Sequence, residues 1–339
     1  MKYKSVIATR LGGPEVLRVI ENDLRSPSAG EVCIKVLAAG VCRPDIAARR
    51  GEELYSGTPL GRKTPFVPGY SIIGDVAAVG AGVSEVTIGD RVGVLTVVGG
   101  YTEYLYWRSD RLIPVPTTLD PAEAVTLILN YIVAYQTLHR SAKVKAADKV
   151  LIIGASGGLG TAFLQLGKLA GLKMYGIASK SKHPILSEYG VTPIDYRTQD
   201  FVEVIRQAEP EGLDAVLDGM MRPDYIRGAL PLLRRGGRLV SFGDPGGLPM
   251  LFRVLMTSML VNLLPNGKSF KLYGTSCYCV GDKRPFQEDW ATLFKLLEEG
   301  QLQPVIEKKF PILEAAKANE LLESGQVIGN VVLLAPELL

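Results

Sequence analysis

Residues 150–160, Val-Leu-Ile-Ile-Gly-Ala-Ser-Gly-Gly-Leu-Gly, are the stretch of this chain best suited to holding a reactive ligand. A short apolar run breaks into glycines and continues over 161–170 as Thr-Ala-Phe-Leu-Gln-Leu-Gly-Lys-Leu-Ala, which reads as a helix. A strand–glycine–helix junction leaves backbone N–H groups free at the helix N-terminus, where the macrodipole favours an anion such as pyrophosphate. Gly157 and Gly158, flanked by Ser156 and Leu159, give a phosphate close access to the backbone, and Gly160 lets the helix pack on the strand. The competing reading is an ordinary βα turn. A second strand follows on schedule over 173–178, so a dinucleotide site is expected.

The end of that second strand selects among dinucleotides. About twenty residues past the glycines, an NAD site usually offers Asp or Glu to the ribose 2′-hydroxyl. This chain offers Ser179-Lys180-Ser181-Lys182-His183, and no carboxylate until Glu188. Hydroxyls and ammonium groups, Ser179 and Lys180 first, suit a 2′-phosphate; the alternative is a solvated basic turn. The expected cofactor is NADPH.

The rest of the chain must position these residues. Its 339 residues suggest about two domains, and a net charge of +3 gives no reason to expect nucleic acid. Apolar content of 47% with 37 glycines fits an α/β protein. The first residues, Met-Lys-Tyr-Lys-Ser, lack the apolar core of a signal peptide, so a cytoplasmic setting is expected. The apolar stretch 248–264 contains Pro249, Arg253 and Asn262 and is too short for stable membrane insertion; it reads as a buried or cleft-lining helix. Its methionines suit a bulky apolar substrate, with core or dimer packing as the alternative. The four cysteines, Cys33, Cys42, Cys277 and Cys279, show no disulfide framework. With only His139 and His183 to help them, a structural zinc is not expected.

Short alternating segments and closely spaced glycines over the first 120 or so residues predict a partly closed β-barrel. Asp120 and Pro121 then mark a helix start. From about residue 125 to 270 strands and helices alternate, with helices over 201–208 and 225–233 and strands over 191–195, 213–218 and 237–243, and the tail adds a helix over 286–297 and a strand over 327–334. The expected division is 1–124, 125–270 and 271–339.

Together, Ala38-Ala-Gly-Val-Cys-Arg-Pro-Asp45, Pro68-Gly69-Tyr70, Gly99-Gly-Tyr101, Leu129-Asn130-Tyr131, the glycine run 154–160, Asp195-Tyr196-Arg197, Gly236-Gly237-Arg238 and Gly329-Asn330-Val331 carry a resemblance. In order and across nearly the whole chain, they resemble the medium-chain dehydrogenase/reductase superfamily, in its zinc-free, zeta-crystallin-like quinone oxidoreductase branch. The resemblance implies an α/β fold: a doubly wound parallel Rossmann sheet inserted in a GroES-like β-barrel catalytic domain, with the active site in the cleft between them. It also implies a homodimer, with an exposed strand near 273–278.

In the zinc-dependent branch the metal is held by Cys, His and Cys. Here Cys42 holds the first place, Tyr70 replaces the histidine and Leu129 the second cysteine, while Pro44 stands where a relay hydroxyl is expected. A catalytic zinc, and with it a zinc alcohol dehydrogenase, is therefore not expected. The resemblance implies reduction of a small apolar carbonyl or quinone by a nicotinamide cofactor, with Tyr70 as candidate donor to the developing oxyanion (otherwise it packs the cleft) and Cys42 either in contact with substrate or, since relatives often carry Asn there, a thiol that merely packs. A tyrosine some relatives carry five residues past Cys42 is Ala47 here, which leaves open an NADPH-binding sensor with little turnover. The resemblance further implies that Asn130 lies near the nicotinamide (otherwise it caps a helix) and Tyr196 by the 2′-phosphate. Ser276, Cys277 and Asn330 would approach the nicotinamide ribose and amide. Phe242 and Gly243 follow the last sheet strand at its ligand-binding edge.

Overall fold

Alternation in the first third of the chain does give short strands; the computed structural model describes residues 1–59, 61–275 and 281–339. β1 (Lys2–Ala8) and β2 (Leu17–Asp23) form an antiparallel pair. β3 (Glu31–Val41) pairs antiparallel with β4 (Ser71–Val79), which pairs with β5 (Arg91–Leu95). Strands β6 (Tyr104–Arg108) and β7 (Ile113–Pro114) complete this part of the sheet.

The chain then changes period. β8 (Lys149–Ile153), β9 (Lys173–Ala178), β10 (Thr192–Asp195), β11 (Leu213–Asp218), β12 (Leu233–Phe242) and β13 (Ser269–Tyr273) form an all-parallel sheet in the order β10-β9-β8-β11-β12-β13. The order reverses between β8 and β11, and ligands bind beyond the carboxyl ends at such a switch point. Finally β14 (Ile306–Pro311) and β15 (Asn330–Leu334) return to the first sheet, where β15 takes the second half of β3 while β6 takes the first. Both chain ends therefore build one GroES-like unit, Met1–Asn130 with Gln287–Leu339, and Tyr131–Phe286 builds the Rossmann unit. Each has its own apolar core, around Ile34, Ile72 and Leu333 in one and Leu151, Val216 and Phe270 in the other.

The predicted elements hold with small shifts: the 225–233 helix lies at Pro223–Leu232, and β12 already begins at Leu233. One expectation fails. The apolar segment 248–264 does form a helix, Leu248–Leu263, but that helix buries only Val254 and Val261. Phe252, Met259 and Leu263 are 57–68% exposed. Its apolarity reflects a face turned outward, which hydropathy cannot distinguish from burial. Among the described residues, no helix is long and apolar enough to cross a membrane.

Candidate functional site

In the Rossmann unit, β8 ends at Ile153 and Gly154 turns the chain with φ +85°, a conformation favouring glycine. The following helix, Gly158–Leu169, has Gly157 as its N-cap, and Thr161 N–H donates to Gly157 O at 2.8 Å. The first helical N–H groups have no carbonyl before them and point out of the helix end. A Cβ on Gly160 would lie 2.4 Å from the Ala155 carbonyl carbon, so only glycine lets the helix seat on the turn. Gly157 is different: a Cβ there meets nothing within 4 Å. Its missing side chain leaves open space over the helix end. Ser156 is almost fully buried in the turn, and Leu159 is half-buried in the first helical turn.

Beside this turn, the register pairs Ala178 of β9 with Asp195 of β10, so the residues that follow each strand emerge side by side. Ser179 Oγ lies 3.3 Å from Ser181 Oγ, and among the described residues the exposed Lys180 ammonium has no hydrogen-bond or ion-pair partner. Tyr196 is 49% exposed, with the Arg197 guanidinium 5.6 Å from its ring centre. The Asp195 carboxylate accepts from Arg197 N–H and Thr198 Oγ1, both at 3.1 Å, and is spent within its own loop. At the end of β12, Phe242 is buried against Phe163 with centroids 5.3 Å apart, and Gly243 is exposed with φ +108°.

The GroES-like unit carries a second, closed arrangement. Cys42 caps the helix Arg43–Arg50, and Asp45 completes a capping box from the third helical position. One Asp45 oxygen accepts from Cys42 N–H at 2.8 Å, Cys42 Sγ at 3.0 Å and Tyr101 OH at 3.1 Å; the other accepts from Gly69 N–H at 3.1 Å. Burial, partly offset by these bonds, pushes the Asp45 carboxyl up to about 6. Burial and the neighbouring carboxylate push the Cys42 thiol well above its ordinary range, so it stays a neutral thiol. Gly69 has φ +109°, and a Cβ there would lie 2.6 Å from Gly100 Cα. Tyr70 follows immediately, half-buried, with its carbonyl accepting from Thr96 N–H at 2.9 Å and Val97 N–H at 3.3 Å. Asp45 thus fixes the backbone at both Cys42 and the Gly69–Tyr70 bend. Sequence reasoning passed over Asp45 and Tyr101 as functional residues, although the Cys-x-x-Asp spacing of a capping box could have revealed the former.

Asn130 and Asn330, 200 residues apart in the chain, meet in the same unit: Asn130 Nδ2 donates to Asn330 Oδ1 at 2.7 Å, and Asn330 Nδ2 to Val305 O at 2.9 Å. Asn130 caps no helix. It sits in a π turn, Leu127–Tyr131, within a helical run that Asp120 caps by accepting from Ala122 N–H and Glu123 N–H. Such turns often mark functional positions. Cys42, Ser71, Leu129, Asn130 and Asn330 line a cavity of about 10 Å³, which fits one water molecule. Ser276 and Cys277 lie outside the described residues.

The positions that hold zinc in the zinc-dependent branch carry side chains that do not suit the ion. Leu129 carries no donor, Tyr70 replaces the imidazole, and the Cys42 thiol is protonated and hydrogen-bonded to Asp45. Among the described residues no three His, Cys, Asp or Glu side chains gather around one point. The glycine turn and the Ser179–Tyr196 rim, in contrast, can take an anionic ligand: an open helix end, an ammonium with no partner among the described residues and an exposed aromatic ring.

Two protein families match the chain: "Alcohol dehydrogenase GroES-like domain" over residues 28–117 and "Zinc-binding dehydrogenase" over 190–333. The chain is 33% identical to the quinone oxidoreductase of Sus scrofa, over 96% of this chain and 95% of that protein. It is 30% identical to the synaptic vesicle membrane protein VAT-1 homolog of Homo sapiens, over 98% and 86% respectively. Among solved structures, a mycobacterial protein complexed with NADPH is similar at a TM-score of 0.81 and 26% identity, covering 98% of this chain and 99% of that one.

Proposed function

The chain belongs to the medium-chain dehydrogenase/reductase superfamily, whose oxidoreductases bind nicotinamide cofactors, and we propose that it is an NADPH-dependent reductase of quinones or α,β-unsaturated carbonyl compounds that works without a catalytic metal. The observation that carries this reading is the rim beyond β9 and β10. It offers the Lys180 ammonium, which has no partner among the described residues, while the nearby Asp195 carboxylate is already bonded inside its own loop. The solved relative complexed with NADPH and the quinone oxidoreductases among the curated relatives support it.

When bound, reduced nicotinamide supplies a hydride equivalent, best accepted by a conjugated system that delocalises the charge it gains. The protein's part is binding and orientation. The backbone of Ser156, Gly157, Gly158, Leu159 and Gly160 would hold the pyrophosphate, and Ser179, Lys180 and Tyr196 the 2′-phosphate. Phe242 and Gly243 would border the cofactor at the sheet edge, with Asn130, Asn330, Ser276 and Cys277 toward its nicotinamide end. Tyr70, its backbone pinned on both sides, would donate its hydroxyl to the substrate oxygen as negative charge develops there. Cys42 would contribute a neutral wall to the substrate site, because burial, with Asp45 beside it, keeps its thiol protonated. Two buried free thiols, Cys33 and Cys42, suit the reducing cytoplasm.

Fluorescence titration of the purified protein with NADPH and NADH, followed by steady-state oxidation with a small enone and with a quinone, tests the reading. NADPH is expected to bind at least about tenfold more tightly, a difference of about 1.4 kcal/mol. Turnover is expected with at least one acceptor, and Tyr70→Phe should lower kcat while leaving NADPH affinity unchanged. Equal affinities would refute the cofactor choice, tight binding without turnover would make the chain a sensor, and stoichiometric zinc would refute the metal-free chemistry.

A further inference from the structure

Two side-chain amides of the GroES-like unit can be read in one direction only. Val305 O is a carbonyl and must accept; it takes Asn330 N–H at 2.8 Å and Asn330 Nδ2 at 2.9 Å. Gly329, with φ +76°, permits this approach, since a Cβ there would lie 2.3 Å from Val305 O. With its nitrogen committed, Asn330 turns Oδ1 toward Asn130, whose own Nδ2 must then face it. Asn130 Oδ1 is left over, with no partner among the described residues. Fully buried Trp290 donates its Nε1–H to Leu127 O at 3.2 Å, so the backbone of the π turn is held as well.

The small cavity beside Asn130 has another unspent group. Ser71, the first residue of β4, is 2% exposed, and among the described residues its hydroxyl has no hydrogen-bond partner. Gly40 also lines the cavity, and a Cβ there would lie 2.7 Å from Ser71 Oγ, so glycine leaves that hydroxyl its room. Cys42 Sγ spends its proton on Asp45 at 3.0 Å and can otherwise only accept. The walls thus present two acceptors, Asn130 Oδ1 and Cys42 Sγ, and one hydroxyl that can play either part. An occupant must therefore donate. The carbonyl oxygen of a substrate cannot, whereas a water molecule donates, accepts and fits the volume of about 10 Å³.

We infer that one water molecule is a fixed ligand of this cavity, accepting from Ser71 Oγ and donating to Asn130 Oδ1, and that Ser71 acts through it as a positioning residue. The bonds then run one way, from Ser71 through water, Asn130 and Asn330 to the Val305 carbonyl, and each donor polarises the next. This chain ties the start of β4, next to Tyr70, to the turn that carries Asn130. The role rests on the function proposed above, in which Tyr70 serves the acceptor and Asn130 the nicotinamide end: the water fixes the spacing between those two groups. Asn130 Oδ1 keeps a second lone pair, so the water does not close it to a donor on a ligand.

High-resolution crystal structures of the full chain and of Ser71→Val, together with their steady-state kinetics, test this. The parent is expected to hold a single ordered water about 2.7–3.2 Å from both Ser71 Oγ and Asn130 Oδ1. Valine fills the space and should exclude that water, letting the Asn130 amide turn away from Asn330. Its kcat should fall about tenfold, while NADPH affinity stays within about twofold of the parent. Should the valine variant fail to fold, Ser71→Ala removes only the hydroxyl and should give a disordered water and the same split. No ordered water in the parent, a water that misses either partner, or a folded variant that loses the water yet keeps the parent's Asn130 position or its kcat would overturn the inference. A parent that holds the water but reduces no acceptor refutes the proposed function alone, and a displaced Asn130 in the variant then still supports the part given to Ser71.

Discussion

The two candidate regions spend their polar groups in opposite ways. Around Asp45 the donors and acceptors satisfy one another: one buried carboxylate takes two bonds from the helix-cap residue Cys42, one from a glycine bend and one from a tyrosine on a distant turn. Around Gly157 and Lys180 they are left over, with a helix end facing open space and an ammonium without a partner among the described residues. A closed network fixes geometry and resists change, whereas an open one keeps its interaction energy for a ligand. Substitutions in the first region should therefore be read in stability, and those in the second in coenzyme affinity.

The sharpest way to break this contrast is Asp45→Ala. It orphans several buried donors at once, and each unsatisfied group costs about 1–3 kcal/mol, so a loss of about 3–4 kcal/mol is expected in urea unfolding. Asp45→Asn keeps the volume but supplies one acceptor oxygen in place of two, and should lose about half as much. A loss under about 0.5 kcal/mol for Asp45→Ala, the level of an ordinary surface substitution, would end the idea of a stabilising hub.

Glycine separates the two regimes within a few residues. A Cβ at position 160 meets backbone at 2.4 Å, so Gly160→Ala should cost about 1–3 kcal/mol of stability along with coenzyme binding. A Cβ at position 157 meets nothing within 4 Å, and its φ of −80° suits any residue. Gly157→Ala should leave the melting temperature unchanged and weaken NADPH and NADH alike. Equal thermal losses in both variants would show that the turn is only a packing feature.

How much of this was legible in the sequence follows the same division. The strand–glycine–helix–strand run was readable because its cause is local: a period change and a glycine cluster place β8 and β9 almost to the residue and the helix to within three residues of its start. The Asn130–Asn330 bond was not, because it joins positions 200 residues apart through two elements that must first fold. The π turn around Asn130 left no composition mark, so a cap was the natural alternative reading. The outward face of Leu248–Leu263 was misread for a third reason: an apolar helix looks the same in sequence whether its face meets the chain's own core or something outside it.

At the rim, Lys180→Ala removes a charge that no described residue pairs with, so its effect should be confined to the ligand. NADPH affinity should fall about tenfold, near 1.4 kcal/mol, with NADH affinity and melting temperature unchanged. A parallel fall in NADH affinity would place Lys180 on the pyrophosphate or outside the site.

The smallest expected effect tests whether closure alone makes a polar cluster structural. Glu209 is buried at the amino edge of the Rossmann sheet, away from the strand ends that bind ligands, with Lys149 and Lys173 Nζ and Tyr175 OH each 2.6 Å from its oxygens. Burial disfavours its charge, but these three partners outweigh that and draw the carboxyl from 4.5 down to about 2. A lowered value means the folded state holds the anion more tightly than the unfolded chain does, so the stability from Glu209 is present above about 4.5 and lost as pH falls through about 2. Glu209→Gln should cost about 1 kcal/mol at neutral pH, and the gap to the parent should close below pH 4.5. Asp45, raised by burial to about 6, has the opposite slope: its contribution is full below 3.8 and fades as pH rises through 6. Urea unfolding of the parent, Glu209→Gln and Asp45→Asn across this range should show the two differences moving in opposite directions. If both move the same way, the two closed clusters do not hold charge as their partners imply.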